Sequence, residues 1–170
     1  MDKIKEKLNK AFLKAASNGE LEEIKYLISK GADIHFMNDE ALVWAAENGH
    51  LDIVKYLVEQ GLNIHAKNEA LIYAAHLGRL DIVKYLVNQG ANIFANNNDA
   101  LNSSIISNYL EITKYLIDHG AYLEQPMEIP PELQDQIIEN SLSSLNFITN
   151  LRLDLKEKYS GHLELSEIGL

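Results

Sequence analysis

The chain has 170 residues, 46% of them hydrophobic and 24% charged, which supplies one compact domain or a short array with a core and argues against wholesale disorder. Its formal charge of −10, from 25 acidic against 15 basic side chains, opposes attraction to phosphate backbones and anionic lipid, so neither nucleic acid nor membrane is an expected partner. The absence of cysteine removes disulfides, thiol catalysis and thiolate zinc sites, and suits a reducing intracellular compartment.

The first predicted element is a helix over residues 1–14, where Ile4, Leu8, Ala11 and Phe12 recur at helical spacing among Lys3, Lys5, Lys7, Lys10 and Lys14. Organellar targeting helices avoid acids, so Asp2 and Glu6 favour a plain amphipathic helix that covers one end of a core. The N-terminus lacks the apolar core of a secretory signal, and no segment reaches the roughly 20 apolar residues of a spanning helix, so a cytoplasmic protein is expected.

From here the chain repeats itself. Leu21-Glu-Glu-Ile-Lys-Tyr-Leu-Ile-Ser-Lys-Gly31 returns as Leu51-Asp-Ile-Val-Lys-Tyr-Leu-Val-Glu-Gln-Gly61, then as Leu80 to Gly90 and Leu110 to Gly120. The closing glycines step by 30, 29 and 30 residues. A shorter block precedes each line: Ala11-Phe-Leu-Lys-Ala-Ala, Ala41-Leu-Val-Trp-Ala-Ala, Ala70-Leu-Ile-Tyr-Ala-Ala and the looser Ala100-Leu-Asn-Ser-Ser-Ile. Each unit is predicted to be two helices and a loop, with units at about 1–31, 32–61, 62–90 and 91–120.

Leu51, Val54, Leu57 and Val58 form an apolar stripe on the longer helix, which Gly61 stops. Alanine pairs such as Ala45-Ala46 and Ala74-Ala75 leave room for close helix approach, and Gly19, Gly49 and Gly78 turn the chain between helices. One pair cannot bury both its faces. Stacked pairs can, and stability then sums unit terms and nearest-neighbour interfaces.

The run Gly49-His-Leu-Asp-Ile-Val-Lys-Tyr-Leu-Val-Glu-Gln-Gly61, followed by Leu62-Asn-Ile-His-Ala-Lys-Asn68, resembles an ankyrin repeat over roughly residues 8–123. The Thr-Pro-Leu-His opening usual in that family is replaced by Glu40-Ala-Leu-Val43, Glu69-Ala-Leu-Ile72 and Asp99-Ala-Leu-Asn102. Units three or four residues short of the family's usual length imply a stunted or absent hairpin finger. Such short units resemble those of giant DNA viruses, and ankyrin proteins also occur among effectors of intracellular bacteria. The resemblance implies an all-α solenoid of four helix pairs over residues 1–123, with a helical extension at 124–170.

The same resemblance implies a non-catalytic, cofactor-free, monomeric module that grips a partner protein, a host protein if the source is viral or an effector, with the concave face of its shorter helices. By position that face carries Lys14, Trp44, Tyr73 and Ser103, then Ser17, Glu47, His76 and Ile106, then Glu20, His50, Arg79 and Tyr109. Trp44 and Tyr73 are the strongest anchors, since exposed aromatics dominate protein interfaces, the competing reading being that both pack over neighbouring repeats.

Other ladders read as framework. Glu22/Lys25, Asp52/Lys55, Asp81/Lys84 and Glu111/Lys114 are i, i+3 pairs on a solvated face. Tyr26, Tyr56, Tyr85 and Tyr115 fall at its half-buried boundary, with no partner assigned. His35 and His65 recur through the repeat and are expected to bond loop backbone, because helices about 8–10 Å apart do not bring both to one metal. No phosphate loop, nucleophile elbow or helix-borne His-Glu-x-x-His is present, and Asp39-Glu40 and Glu22-Glu23 read as exposed carboxylates.

Residues 121–170 hold nine acids against three bases, and all three prolines of the chain. They read either as a helical cap with a polar outer face or as something more specific. Ile129-Pro-Pro-Glu-Leu-Gln-Asp-Gln-Ile-Ile138 resembles the opening of an F-box, with Leu151-Arg-Leu-Asp-Leu-Lys-Glu-Lys-Tyr159 as its later stretch. That resemblance implies docking of Pro130, Leu133, Ile137 and Ile138 on the adaptor subunit of a cullin-type ubiquitin ligase. Ser141 and Asp154 depart from it where apolar residues are usual.

Overall fold

The computed structural model describes residues 3–122. The segment 124–170, with its cap and F-box-like readings and with Pro130, Leu133, Ile137 and Ile138, lies outside the described residues. Within them the chain forms eight helices and no strand: α1 (Lys3–Asn18), α2 (Leu21–Ser29), α3 (Glu40–Asn48), α4 (Leu51–Glu59), α5 (Ile64–His76), α6 (Leu80–Asn88), α7 (Ala95–Ile106) and α8 (Leu110–Asp118). Each unit pairs its two helices. The first helices α1, α3, α5 and α7 pack in series as one layer, and α4, α6 and α8 pack in series as the other.

The core follows the sequence columns. Phe12, Leu42, Leu71 and Leu101, each one place after the opening alanine, are fully buried, as are Leu57, Leu86 and Leu116 of the second helices. The stripe on α4 is Ile53, Val54, Leu57 and Val58; Leu51, expected in it, is half-buried at the first turn. Alanines at 15, 16, 45, 46, 74 and 75 are buried where first helices meet. Such small side chains set a close approach of neighbouring helices.

The loops explain the one odd spacing. In the second and fourth units the loop makes a full left-handed turn, with φ of 55–67° at Met37, Asn38 and Asp39 and 50–61° at Asn96, Asn97 and Asn98. Asn and Asp tolerate that region better than other non-glycine residues. The third unit has one residue fewer between its glycines, and its loop instead joins the right-handed α5, whose N-cap Asn63 accepts the N–H of Ala66 at 2.9 Å. Either way, helical turns stand where a hairpin finger would project.

Across these loops runs a regular hydrogen-bond ladder. Asn9 Oδ1 accepts the N–H of Asp33 at 2.8 Å, Asp39 Oδ2 that of Asn63 at 3.0 Å, and Asn68 Oδ1 that of Asn92 at 2.8 Å. Each acceptor stands two residues before its unit's alanine, and each donor begins the next loop. The ladder ties unit to unit through main-chain amides bonded to side-chain oxygens, beside the buried loop residues Ala32, Leu62 and Ile93.

The fourth unit departs from the columns by a matched pair. Ser104 takes the place of Ala45 and Ala74, and Thr113 that of Val54 and Val83; both are buried. Their hydroxyls lie 2.9 Å apart, with the carbonyl of Leu101 2.8 Å from Ser104 Oγ and that of Tyr109 3.1 Å from Thr113 Oγ1, so two hydroxyl hydrogens are shared among three contacts. Replacing both partners of such a pair by apolar groups is close to neutral or stabilising. Ser104→Ala with Thr113→Val is therefore expected to hold or raise stability, by up to about 1 kcal/mol, in urea unfolding. A clear loss would show that the hydroxyl pair shapes the α7–α8 packing.

Candidate functional site

The first-helix layer presents the predicted face, and the structure sorts its residues into three kinds. Trp44 is half-buried against the core, with its indole Nε1 donating to Glu40 Oε1 at 3.0 Å. The hydrogen bond and the core contact both hold this side chain against α3. Tyr73 is 45% exposed and Ile106 71% exposed, in successive first helices. Lys14 and His76 are exposed as well, whereas Ser17, Glu47 and Ser103 are half-buried.

A second group stitches one unit to the next. His50 Nε2 donates to the carbonyl of Ser17 at 3.0 Å, and Arg79 Nε to that of Glu47 at 3.2 Å. His50, Arg79 and Tyr109 occupy one column, and each lies over a glycine of the preceding unit: Gly19, Gly49 and Gly78. The column thus has a structural duty that the positional transfer did not foresee. Tyr109 remains 40% exposed beside that contact and adds to the Tyr73 and Ile106 surface. His76 Nδ1 hydrogen-bonds Ser107 Oγ at 3.1 Å, a further tie between α5 and the end of α7.

The N-terminal end of the face is polar by contrast, a groove lined by Ala11, Lys14, Ala15, Asn18, Glu20 and Glu23. The residues 1–120 carry a net charge of only −4, and the face mixes Lys14 and Arg79 with Glu20 and Glu47. Shape and apolar contact, rather than a strong field, distinguish this surface.

Two readings of the carboxylates and histidines need correction. Asp39 is buried, not exposed, because the left-handed turn folds it inward beneath the loop, where Oδ2 takes the Asn63 amide. His35 bonds this carboxylate, Nδ1 to Oδ1 at 2.7 Å, rather than loop backbone. His65, its counterpart in the shortened unit, is exposed. The missed signal was in the sequence: Asn9, Asp39, Asn68 and Asn98 recur at a fixed offset from each alanine, in a column where an exposed loop would need no such regularity. Among the described residues no cluster of three or more metal-binding side chains occurs.

The opposite surface shows what becomes of the charged and tyrosine ladders. Glu22–Lys25 closes at 2.7 Å. Lys25 also stands 5.9 Å from the Tyr56 ring and Lys55 5.9 Å from that of Tyr85, so the lysines of one unit lean over the tyrosines of the next. Desolvation raises the phenols of Tyr85 and Tyr115 above their ordinary value of 10.0, with Glu59 adding to the shift at Tyr85. A raised value in the folded state means stability that is complete below the unfolded tyrosine pKa and lost as pH rises through the folded one. The array is expected to weaken above about pH 10, with phenolate absorbance and loss of helical circular dichroism rising together.

A family model described as ankyrin repeats in three copies matches residues 2–68 and again residues 63–126. The chain belongs to the ankyrin-repeat family. The all-helical array agrees with that membership, and ankyrin repeats generally mediate protein–protein interaction. No curated protein matches the sequence. No helix among the described residues of the ankyrin array is long and apolar enough to cross a membrane.

Proposed function

We propose that this ankyrin array is a non-catalytic binding module that holds a partner protein on its first-helix face, centred on Tyr73, Ile106 and Tyr109. The observation that carries this reading is the exposure of Tyr73 and Ile106, 45% and 71%, on the layer whose neighbouring apolar side chains are buried. Large exposed side chains on rigid helices supply contact area at little entropic cost, and interface energy concentrates in a few of them. The polar stretch from Lys14 through Glu47 to Arg79 supplies the rim. The partner best fitted to this face presents an apolar or aromatic segment of its own, flanked by mixed charge.

Affinity capture from eukaryotic lysate, with Tyr73→Ala and Ile106→Ser against Lys55→Glu and Lys84→Glu on the opposite surface, tests the reading. The first pair is expected to lose the captured protein while leaving the unfolding midpoint nearly unchanged, and the second pair to keep it. Equal capture by all four variants would refute the assignment of the face. Trp44→Ala is expected to lower stability by about 3 kcal/mol, in the range of large-to-small changes at packed aromatics.

A further inference from the structure

The first unit breaks the repeat columns on its outward side. Glu23 stands where the later units carry Ile53, Ile82 and Ile112; those isoleucines are at most 2% exposed, whereas Glu23 is exposed. Burial in this region comes from the preceding unit rather than from the helix itself, as Ala11 shows. It is exposed, although Ala41, Ala70 and Ala100, the same residue in the same column, are at most 2% exposed. Ala11, Ala15 and Glu23 line one groove, so the carboxylate borders a floor of alanine. Among the described residues Glu23 closes no ion pair.

A second column changes with it. Inside the array a lysine of one unit leans over the tyrosine of the next, Lys25 over Tyr56 and Lys55 over Tyr85. Tyr26 is 55% exposed and takes its cation from its own unit, Lys30 Nζ lying 5.3 Å from the ring centroid. Lys30 occupies the column of Gln60 and Gln89, so this contact too is peculiar to the first unit. We propose that Glu23 and Lys30 make the outward side of the first unit a terminal face, which keeps a second copy of this chain from stacking on the array. Every copy carries the same face, so two of them could meet about a twofold axis. With isoleucine at position 23 they would bury apolar surface against alanine, as the interior units do. With glutamate they would bury two carboxylates, and pairing each with a lysine of the other copy would still cost the desolvation of both charges. A polar outer face is what an array of stacked units needs at its end to remain soluble. Here two side chains provide it, and the first-helix layer is left clear of other copies.

Light scattering and sedimentation velocity of the full chain, over a range of concentrations, test this without any partner. Glu23→Ile with Lys30→Gln gives the end face the interior pattern. Its mean mass is expected to double toward a dimer as concentration rises, with helical circular dichroism unchanged. Glu23→Gln, which keeps a polar group at the position, is expected to match the native chain. Asp52→Ile places the same apolar side chain at an exposed position of α4, away from the face, and is expected to match it as well. Adding Ala11→Glu to the double variant returns charge to the groove and is expected to restore the native mass. Should the double variant fold poorly, Glu23→Ile alone, at an exposed site, decides by the same readout. A variant no more associated than the native chain overturns the proposal, as does equal association by Asp52→Ile or association that survives Ala11→Glu. Association of the native chain that Ala11→Glu abolishes would overturn it too, since the face would then be an interface already. None of these variants touches Tyr73, Ile106 or Tyr109, so this proposal and the binding reading fail separately.

Discussion

Gly78→Ala is expected to lower the unfolding free energy of the array by about 2–4 kcal/mol, the combined scale of a left-handed non-glycine residue and an overpacked contact. Gly78 has φ of +75°, and a Cβ there would stand 2.5 Å from the Tyr109 ring. Neither fault relieves the other: the turn between α5 and α6 sets φ, while the ring is brought in by the next unit. Gly61→Ala is the matching control, since its φ of +87° carries the backbone penalty but nothing lies within 4 Å of the added carbon. It is expected to cost only about 1–2 kcal/mol. Combining Gly78→Ala with Tyr109→Ala should recover the steric share and leave the backbone share. Urea unfolding of these three variants and of Tyr109→Ala alone separates the two, and equal losses at Gly78 and Gly61 would remove the ring from the account.

That comparison marks how far the sequence was legible. The recurrence of Gly19, Gly49 and Gly78 identified the turn, because a backbone requirement repeats with the unit. The column His50, Arg79 and Tyr109 was legible as a position and misread as a purely outward surface. Which neighbour a long side chain lies over depends on the offset between units, and no single repeat records that offset. Trp44 illustrates the same limit, because its half-buried place depends on Glu40 four residues back and on the core beneath it. Tyr73 and Ile106 needed no such knowledge; nothing in the array calls on them, and they stayed exposed. The spacing of 29 between Gly61 and Gly90 was likewise visible, but its meaning, a right-handed loop in place of a left-handed one, required the backbone.

Asp39 carries the other large expected effect, and here the chemistry of the substitution decides its sign. Asp39→Ala removes the acceptor of the Asn63 amide and the partner of His35 together, leaving a part-buried main-chain donor unmet. A loss of about 2–4 kcal/mol is expected, from one orphaned donor and a small cavity. Asp39→Asn should behave oppositely. Asn68 and Asn9 already perform the same task with an amide oxygen, and Asn suits the left-handed φ of 67° at this position at least as well as Asp. It also removes a carboxylate from a buried site, where charge is costly unless fully bonded. Stability equal to or above that of the native chain is therefore expected for Asp39→Asn. His35→Ala supplies the cross-check: in the native chain it takes a bond from a buried carboxylate and should cost about 1 kcal/mol. In the Asp39→Asn background it should cost almost nothing, because no charge remains to be compensated. A double-mutant cycle across His35 and Asp39 measures that difference directly. A null coupling would mean that the carboxylate is held by the ladder amide alone, and that the histidine 2.7 Å away is incidental to it.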